Sequence, residues 1–291
     1  MCRLVLVAVI FVLARMECMP ATFTVSAQQV RQGEVIRVFS DTSESARLGS
    51  HTIRLFPQTN SRGTAGRQAV DKTLNMGLMP VPVLTRPGSY TLEFLDAKGE
   101  VASQKQITVL NAHYPRQNLA IEPSIAALKP SPGEQEAVAA FRKLVTDTRL
   151  WRDPLQRPIP GCLTSTFGVQ RYWNGKPTGE FHAGLDQRGA AGTPIHAITG
   201  GTVKLAREFR LRGGTVAIDH GQGLESIYMH MSKVLAKEGE RVSAGDVIGE
   251  VGSTGRSTGS HLHWSLYADG EPVNPLQWLK IAPCPPRRPA H

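Results

Sequence analysis

The sequence predicts a mainly β protein. Apolar residues alternate with period two over short runs, 28 Gly and 20 Pro are spread along the chain as turn formers, and helical periodicity surfaces in one connector only. A length of 291 residues suggests two domains and room for a sizeable core, which excludes a single small disulfide-stapled module. With 41% hydrophobic and 20% charged residues, neither a disordered chain nor a fibrous repeat fits.

The chain starts with Met1-Cys2-Arg3 and an apolar run from Leu4 to Ala14. A membrane-spanning helix needs about 20 apolar residues, so this run is too short, and residues 1–21 read as a secretory signal. Arg15-Met16-Glu17-Cys18 lacks the small residues that precede a lipid-modified cysteine. No later stretch is long and apolar enough to span, so no stable membrane span is expected in the mature chain. Of four cysteines, Cys2 and Cys18 lie in or beside the signal. Export then invites one disulfide between the remaining pair, Cys162 and Cys284.

Residues 22–111 carry the alternating sets Phe23, Val25, Ala27; Ile36, Val38; Ile53, Leu55; Tyr90, Leu92, Phe94; and Ile107, Val109. Turn residues separate them at Gln32-Gly33, Ser61-Arg62-Gly63, Arg86-Pro87-Gly88 and Ala97-Lys98-Gly99-Glu100, a spacing that predicts an immunoglobulin-like β-sandwich. No cluster of chemical side chains accompanies it, and His51 stands alone. Residues 112–157 form a Pro-rich linker with one helix, opened by Ser131-Pro132-Gly133-Glu134 as a capping box and packed through Val138, Phe141, Leu144 and Val145. Residues 158–283 return to short strands, at 202–205, 214–218, 225–229 and 247–251, and residues 284–291 are a tail.

Six of the nine histidines, His182, His196, His220, His230, His261 and His263, fall in this last domain. Residues two apart on a strand face the same side, so His261 and His263 aim at one place and a metal could take either or both. His182-Ala183-Gly184-Leu185-Asp186 adds an imidazole and a carboxylate, borderline ligands suited to zinc. On an extended strand these two would lie about 13 Å apart, so a bend is required, and Gly184 permits it. Two His and one Asp leave a fourth position for water, the open pattern of a catalytic zinc site, and hydrolysis is its natural chemistry. There is no His-Glu-x-x-His run, so the helix-borne base of that protease class is absent.

These residues resemble the LytM/lysostaphin-type zinc endopeptidases of the M23 class. The resemblance rests on Phe167-Gly168, Phe181-His182-Ala183-Gly184-Leu185-Asp186, Gly192-Thr193-Pro194-Ile195-His196-Ala197, Ile218-Asp219-His220-Gly221 and Tyr228-Met229-His230-Met231. It ends on the run from Gly252-Ser253-Thr254 to Ser260-His261-Leu262-His263-Trp264, where Ser260 replaces the usual Pro. It implies that His182, Asp186 and His263 hold one Zn2+, that His230 and His261 are the catalytic pair, and that the fold is the LytM-like (duplicated-hybrid-motif) antiparallel sheet with a groove over the metal. The implied substrate is the peptide of peptidoglycan, with D,D-endopeptidase action favoured. The amino-terminal region is similar to that of some Gram-negative envelope peptidases, which implies the periplasm or cell envelope. The alternative is a non-catalytic LytM-type regulator of other wall hydrolases, and the complete set of five residues speaks against it.

Other features have simpler readings. The Gly252–Gly259 run lacks a Gly-Lys-Ser/Thr ending and precedes a strand, so it reads as a flexible groove wall rather than a phosphate loop. His196 and His220 read as packed strand residues, and Tyr172 and Trp173 as members of a loop beside the groove. Lys and Arg number 33 against 24 Asp and Glu, a net charge of +9. No basic run or recognition motif makes nucleic acid the partner, and Arg171, Arg188 and the basic surface are expected to hold an acidic polymer.

Overall fold

The structure, a computed structural model, describes residues 21–58 and 74–285. The expected signal segment up to Met19 and Pro20, the Ser61-Arg62-Gly63 turn and the end of the tail lie outside the described residues. Between Thr22 and Asn111 the alternating residues build two sheets. One runs Phe23–Val25, Val35–Ser40, Leu74–Pro80, Phe56–Gln58; the other runs Gln29–Arg31, Val101–Leu110, Gly88–Leu95, Ser45–Leu48, His51–Arg54. Ile36, Val38, Ile53, Leu55, Leu92, Phe94, Ile107 and Val109 share the core between them. Ala27 lies between strands rather than within one.

Leu74–Pro80 carries no period-two signal because both of its faces are buried. Met79 enters the sandwich core, whereas Met76 and Leu78, with Val35 and Val83, join the core of the C-terminal domain. The two halves therefore share one apolar interior, and polar contacts rim it. His51, which looked solitary in the sequence, lies 2.9 Å from Asp269. The Asp269 carboxylate outweighs burial and raises its pKa. Gln277 donates through Nε2 to the Val35 carbonyl and accepts from the Val35 amide, both at 2.8 Å.

The linker is more structured than a tether. It holds a one-turn helix, Pro123–Ala126, and a second, Glu134–Phe141, which starts two residues later than its Pro suggests because Gly133 takes φ 76° at the N-cap. The capping box forms by half: Glu134 accepts from the amide and hydroxyl of Ser131, each at 2.9 Å. The same buried carboxylate accepts from the amides of Leu211 and Arg212 and from the Arg212 guanidinium. Upstream, Arg116–Leu119 pairs in parallel with Gln170–Trp173, so Tyr172 and Trp173 lie on a strand and not in a loop.

The C-terminal sheet runs Leu163–Ser165, Leu185–Arg188, His261–Ala268, Leu224–Val234, Gly213–Gly221, Gly201–Phe209, Arg241–Val242. On His261–Ala268, Leu262, Trp264, Leu266 and Ala268 enter the core, which turns His261, His263, Ser265 and Tyr267 to the other face. Cys162 and Cys284 form a disulfide that closes a loop of 122 residues. Among the described residues no helix is long and apolar enough to cross a membrane.

Two stability tests follow from this packing. Replacing both cysteines by Ser is expected to cost about 4 to 5 kcal/mol in denaturant unfolding, the chain-entropy value for so long a loop; an unchanged midpoint would show that the loop ends are held without the bond. Glu225 is fully buried, and burial, followed by the negative Asp219 and Asp269, pushes its pKa from 4.5 up to about 10. Because the folded value exceeds the unfolded one, this carboxyl subtracts stability progressively as pH rises from about 4.5 towards 10. Glu225→Gln is expected to gain up to about 3 kcal/mol at pH 7 and nothing below pH 4, and a gain independent of pH would contradict that origin.

Candidate metal centre

Antiparallel pairing sets Asp186 directly opposite His263, with Gln187 opposite Leu262 and Leu185 opposite Trp264. Directly paired residues share a face with their Cβ atoms about 5 Å apart, so backbone register alone brings this carboxylate and imidazole together. Leu185 and Trp264 are fully buried on the opposite face and hold that register. His182 reaches the same place from the bend before the Leu185–Arg188 strand. Gly184 makes the approach feasible: a Cβ there would lie 2.3 Å from the Trp264 carbonyl oxygen and 2.8 Å from His263 Nε2.

The result is a cluster of donor atoms. His182 Nε2 lies 2.9 Å from Asp186 Oδ1 and 3.0 Å from His263 Nδ1, and His263 Nδ1 lies 2.8 Å from the same oxygen. His182 Nδ1–H donates to the Thr166 carbonyl at 2.8 Å, and His263 Nε2 meets Ser265 Oγ at 3.0 Å. The Thr166 carbonyl commits the His182 proton away from the cluster, and the Ser265 hydroxyl can accept that of His263, so that two nitrogen lone pairs and a carboxylate oxygen converge. Three acceptors within such reach offer a place for a cation among them, and one carboxylate with two imidazoles matches a borderline divalent ion. Burial raises the Asp186 pKa, but the adjoining His182 and His263 outweigh it and hold the carboxyl well below the usual range. Burial lowers His263 to about 4 despite the opposing Asp186.

Two further imidazoles border the cluster. The His230 ring is centred 5.1 Å from that of His261 and 6.1 Å from that of His263. His261 Nε2 lies 3.8 Å from Asp186 Oδ1, farther out than His263. His230 Nδ1–H donates to the Thr254 carbonyl and His261 Nδ1–H to the Gly259 carbonyl, both at 2.8 Å, which leaves each Nε2 as an acceptor. Burial, followed by His263 and His261, takes His230 down to about 3, so this ring is neutral at pH 7.

His230 gets there through a bulge. Tyr228 and Met231 both enter the core although three residues apart, and the register with Gly213–Gly221 slips between them, from Val216 opposite Tyr228 to Gly214 opposite Met231. The extra residue is absorbed by φ 62° at His230, a left-handed conformation that costs about 1–3 kcal/mol for a non-glycine residue. Met229 and His230 consequently both line the groove.

The five residues line a groove of about 600 Å³, walled also by Gln117, Leu119, Trp173 and Tyr267. No described residue of the sandwich lines it. The 252–259 segment is pinned rather than loose: Thr254 Oγ1 donates to the Met231 carbonyl at 2.7 Å and the Arg256 amide to the Leu211 carbonyl at 2.8 Å. His196 and His220 are structural hydrogen-bond partners, to the Gly245 carbonyl and to the Gly200 carbonyl with Ser226 Oγ. Arg171 lines the groove, and its Nη2 donates to Asp186 Oδ2 at 2.9 Å. No spacing signal tied it to Asp186, because the contact depends on the pairing of Arg116–Leu119 with Gln170–Trp173.

Residues 180–275 match the model of peptidase family M23. The M23 match lies in this segment, about a third of the chain. Over 99 residues it is 42% identical to a DD-carboxypeptidase/endopeptidase, Mpg, of Neisseria meningitidis, covering 34% of this chain and 23% of that one. Over 96 residues it is 42% identical to the peptidoglycan DD-endopeptidase ShyA of Vibrio cholerae, covering 33% of this chain and 22% of that one. The chain thus spans less than a quarter of the length of these curated relatives. A solved M23 structure from Pseudomonas aeruginosa is 27% identical with a TM-score of 0.62, covering 85% of this chain and 93% of that one, so the likeness extends well beyond the family match.

The cluster of His182, Asp186 and His263 makes a direct expectation for metal uptake. Native mass spectrometry should show one divalent ion bound per chain, with uptake lost in His182→Ala and His263→Ala; full uptake by either variant would remove that residue from the ligand set.

Proposed function

We propose that this chain is an exported zinc metallo-endopeptidase that hydrolyses peptide cross-links of peptidoglycan. The observation that carries the reading is the convergence of three acceptor atoms, on His182, Asp186 and His263, beside two imidazoles with their rear nitrogens pinned, in the lining of an open groove. When held by those three residues, zinc supplies a Lewis acid for a scissile carbonyl and lowers the pKa of water. The chain's own residues do the rest. His230 and His261 present acceptor Nε2 atoms that take a proton from the attacking water and return it to the departing amine. Trp173, Leu119, Met229 and Tyr267 give the groove apolar walls against which an extended peptide can lie.

The bond we assign is a D,D cross-link, supported by the D,D-endopeptidase names of the Neisseria meningitidis and Vibrio cholerae relatives over the matched segment. The apolar start of the chain and the two-cysteine pattern support export, and the periplasm or cell envelope is where such a substrate lies. A net charge of +9 favours association with the anionic wall.

The test is mass spectrometry of purified muropeptides, including cross-linked dimers, incubated with the zinc-loaded chain and with a chelated control. Dimers should give monomers only when the metal is present. His230→Ala and His261→Ala should keep the metal and lose about 10²–10⁴-fold in turnover. Intact dimers at full zinc occupancy would overturn the reading in favour of the non-catalytic regulator, and unchanged turnover in either variant would remove that imidazole from the mechanism.

A further inference from the structure

Asp186 uses only one of its two oxygens in the donor cluster. Oδ1 faces His182 and His263, while Oδ2 accepts from Arg171 Nη2 at 2.9 Å. The guanidinium is itself held, since Arg171 Nη1 donates to Gln117 Oε1 at 2.9 Å, and that amide oxygen also accepts from Ser165 Oγ at 3.0 Å. Gln117 lies directly opposite Arg171 in the parallel pairing of the linker strand Arg116–Leu119 with Gln170–Trp173. Both residues precede the segment that matches the family, 180–275. The Arg171 side chain is only 14% exposed and that of Asp186 12%, so the contact is shielded from solvent.

We propose that Arg171 and Gln117 are positioning residues, through which the linker strand holds Asp186 as a one-oxygen metal ligand. A carboxylate free to rotate can offer both oxygens to a cation. The planar fork of Arg171 occupies Oδ2 and fixes the plane of the carboxylate, which keeps one metal position open for water or substrate. The cation also offsets part of the Asp186 charge, so the metal stays a stronger Lewis acid. Lysine offers a point charge and cannot bridge Asp186 and Gln117 in one plane. Gln117 acts at one remove by anchoring the other arm of the fork. The inference rests on the metallopeptidase reading and makes the linker part of the active centre rather than a spacer.

The test uses the full chain with cobalt(II) in place of zinc, because the ligand-field spectrum reports how many donors surround the ion. Arg171→Ala should lower the visible absorption intensity as the second carboxylate oxygen joins the metal, and should lower kcat about 10–100-fold with KM little changed, the usual scale for partners behind a metal ligand. Arg171→Lys should restore part of the kcat loss. Gln117→Leu, close to isosteric and on the linker strand, should shift the spectrum in the same direction by less, and Gln117→Glu, which keeps an acceptor for Arg171, should restore the wild-type spectrum. Spectra and kcat identical to wild type in both Arg171→Ala and Gln117→Leu would overturn the proposal. If Arg171→Ala does not fold, the Gln117 pair decides alone. A wild-type chain that binds cobalt but cleaves no muropeptide defeats the endopeptidase reading while the spectral comparison still judges Arg171; a wild-type chain that binds no metal overturns both.

Discussion

The antiparallel pairing of Leu185–Arg188 with His261–Ala268 is the constraint from which the centre follows. A shift by one residue would carry Asp186 and His263 to opposite faces and drive either Leu185 or Trp264 out of the core. The hydrophobic effect thereby enforces a polar geometry: burying two large apolar side chains on one face costs nothing at the site and leaves a carboxylate and an imidazole paired on the other. Gln187 reinforces the register within the core. It accepts from Trp264 Nε1 at 2.8 Å and donates to the Gly161 carbonyl at 2.8 Å, so this buried polar side chain is engaged at both its oxygen and its nitrogen.

Around that pair the chain places strain and fixed dipoles where chemistry needs them. His230 occupies a left-handed backbone conformation with no glycine to relieve it, and the surrounding sheet maintains it because Tyr228 and Met231 must both remain in the core. Each of the four imidazoles has one ring nitrogen engaged by a carbonyl or hydroxyl outside the cluster. With the tautomers set in advance, lone pairs face the groove without reorganisation when a cation or substrate arrives. The same logic extends outward through Arg171 to a strand of the linker, and Glu134 ties the linker helix to Leu211 and Arg212 at the groove wall.

The sandwich is attached by a shared apolar interior rather than by a flexible connection. Met76 and Leu78 from one half and Trp151, Leu155 and Phe167 from the other belong to a single core. Its described residues leave the groove uncovered, so this arrangement keeps the two halves rigidly related while the site stays open.

Much of this was legible in the residues alone. Period-two runs predicted the strands around Ile36, Leu92 and Ile107, and the His-x-x-x-Asp and His-x-His segments marked the candidate ligands, because those patterns are local and the chemistry of the donors is intrinsic. Spacing left His261 and His263 equivalent; only the cross-strand register distinguishes the one opposite Asp186 from the one beside the groove. Leu74–Pro80 was invisible as a strand because a segment buried on both faces has no alternation to read. His51 with Asp269, Arg171 with Asp186 and the bulge at His230 join residues remote in sequence or depend on a slip in pairing, and no local pattern encodes either. The sequence by itself determined the donor chemistry and the β character, since both reside in residue type and short-range periodicity. Tertiary structure decided which donors meet, which oxygen of Asp186 faces them and what the linker contributes, since those depend on strand pairing across the whole fold.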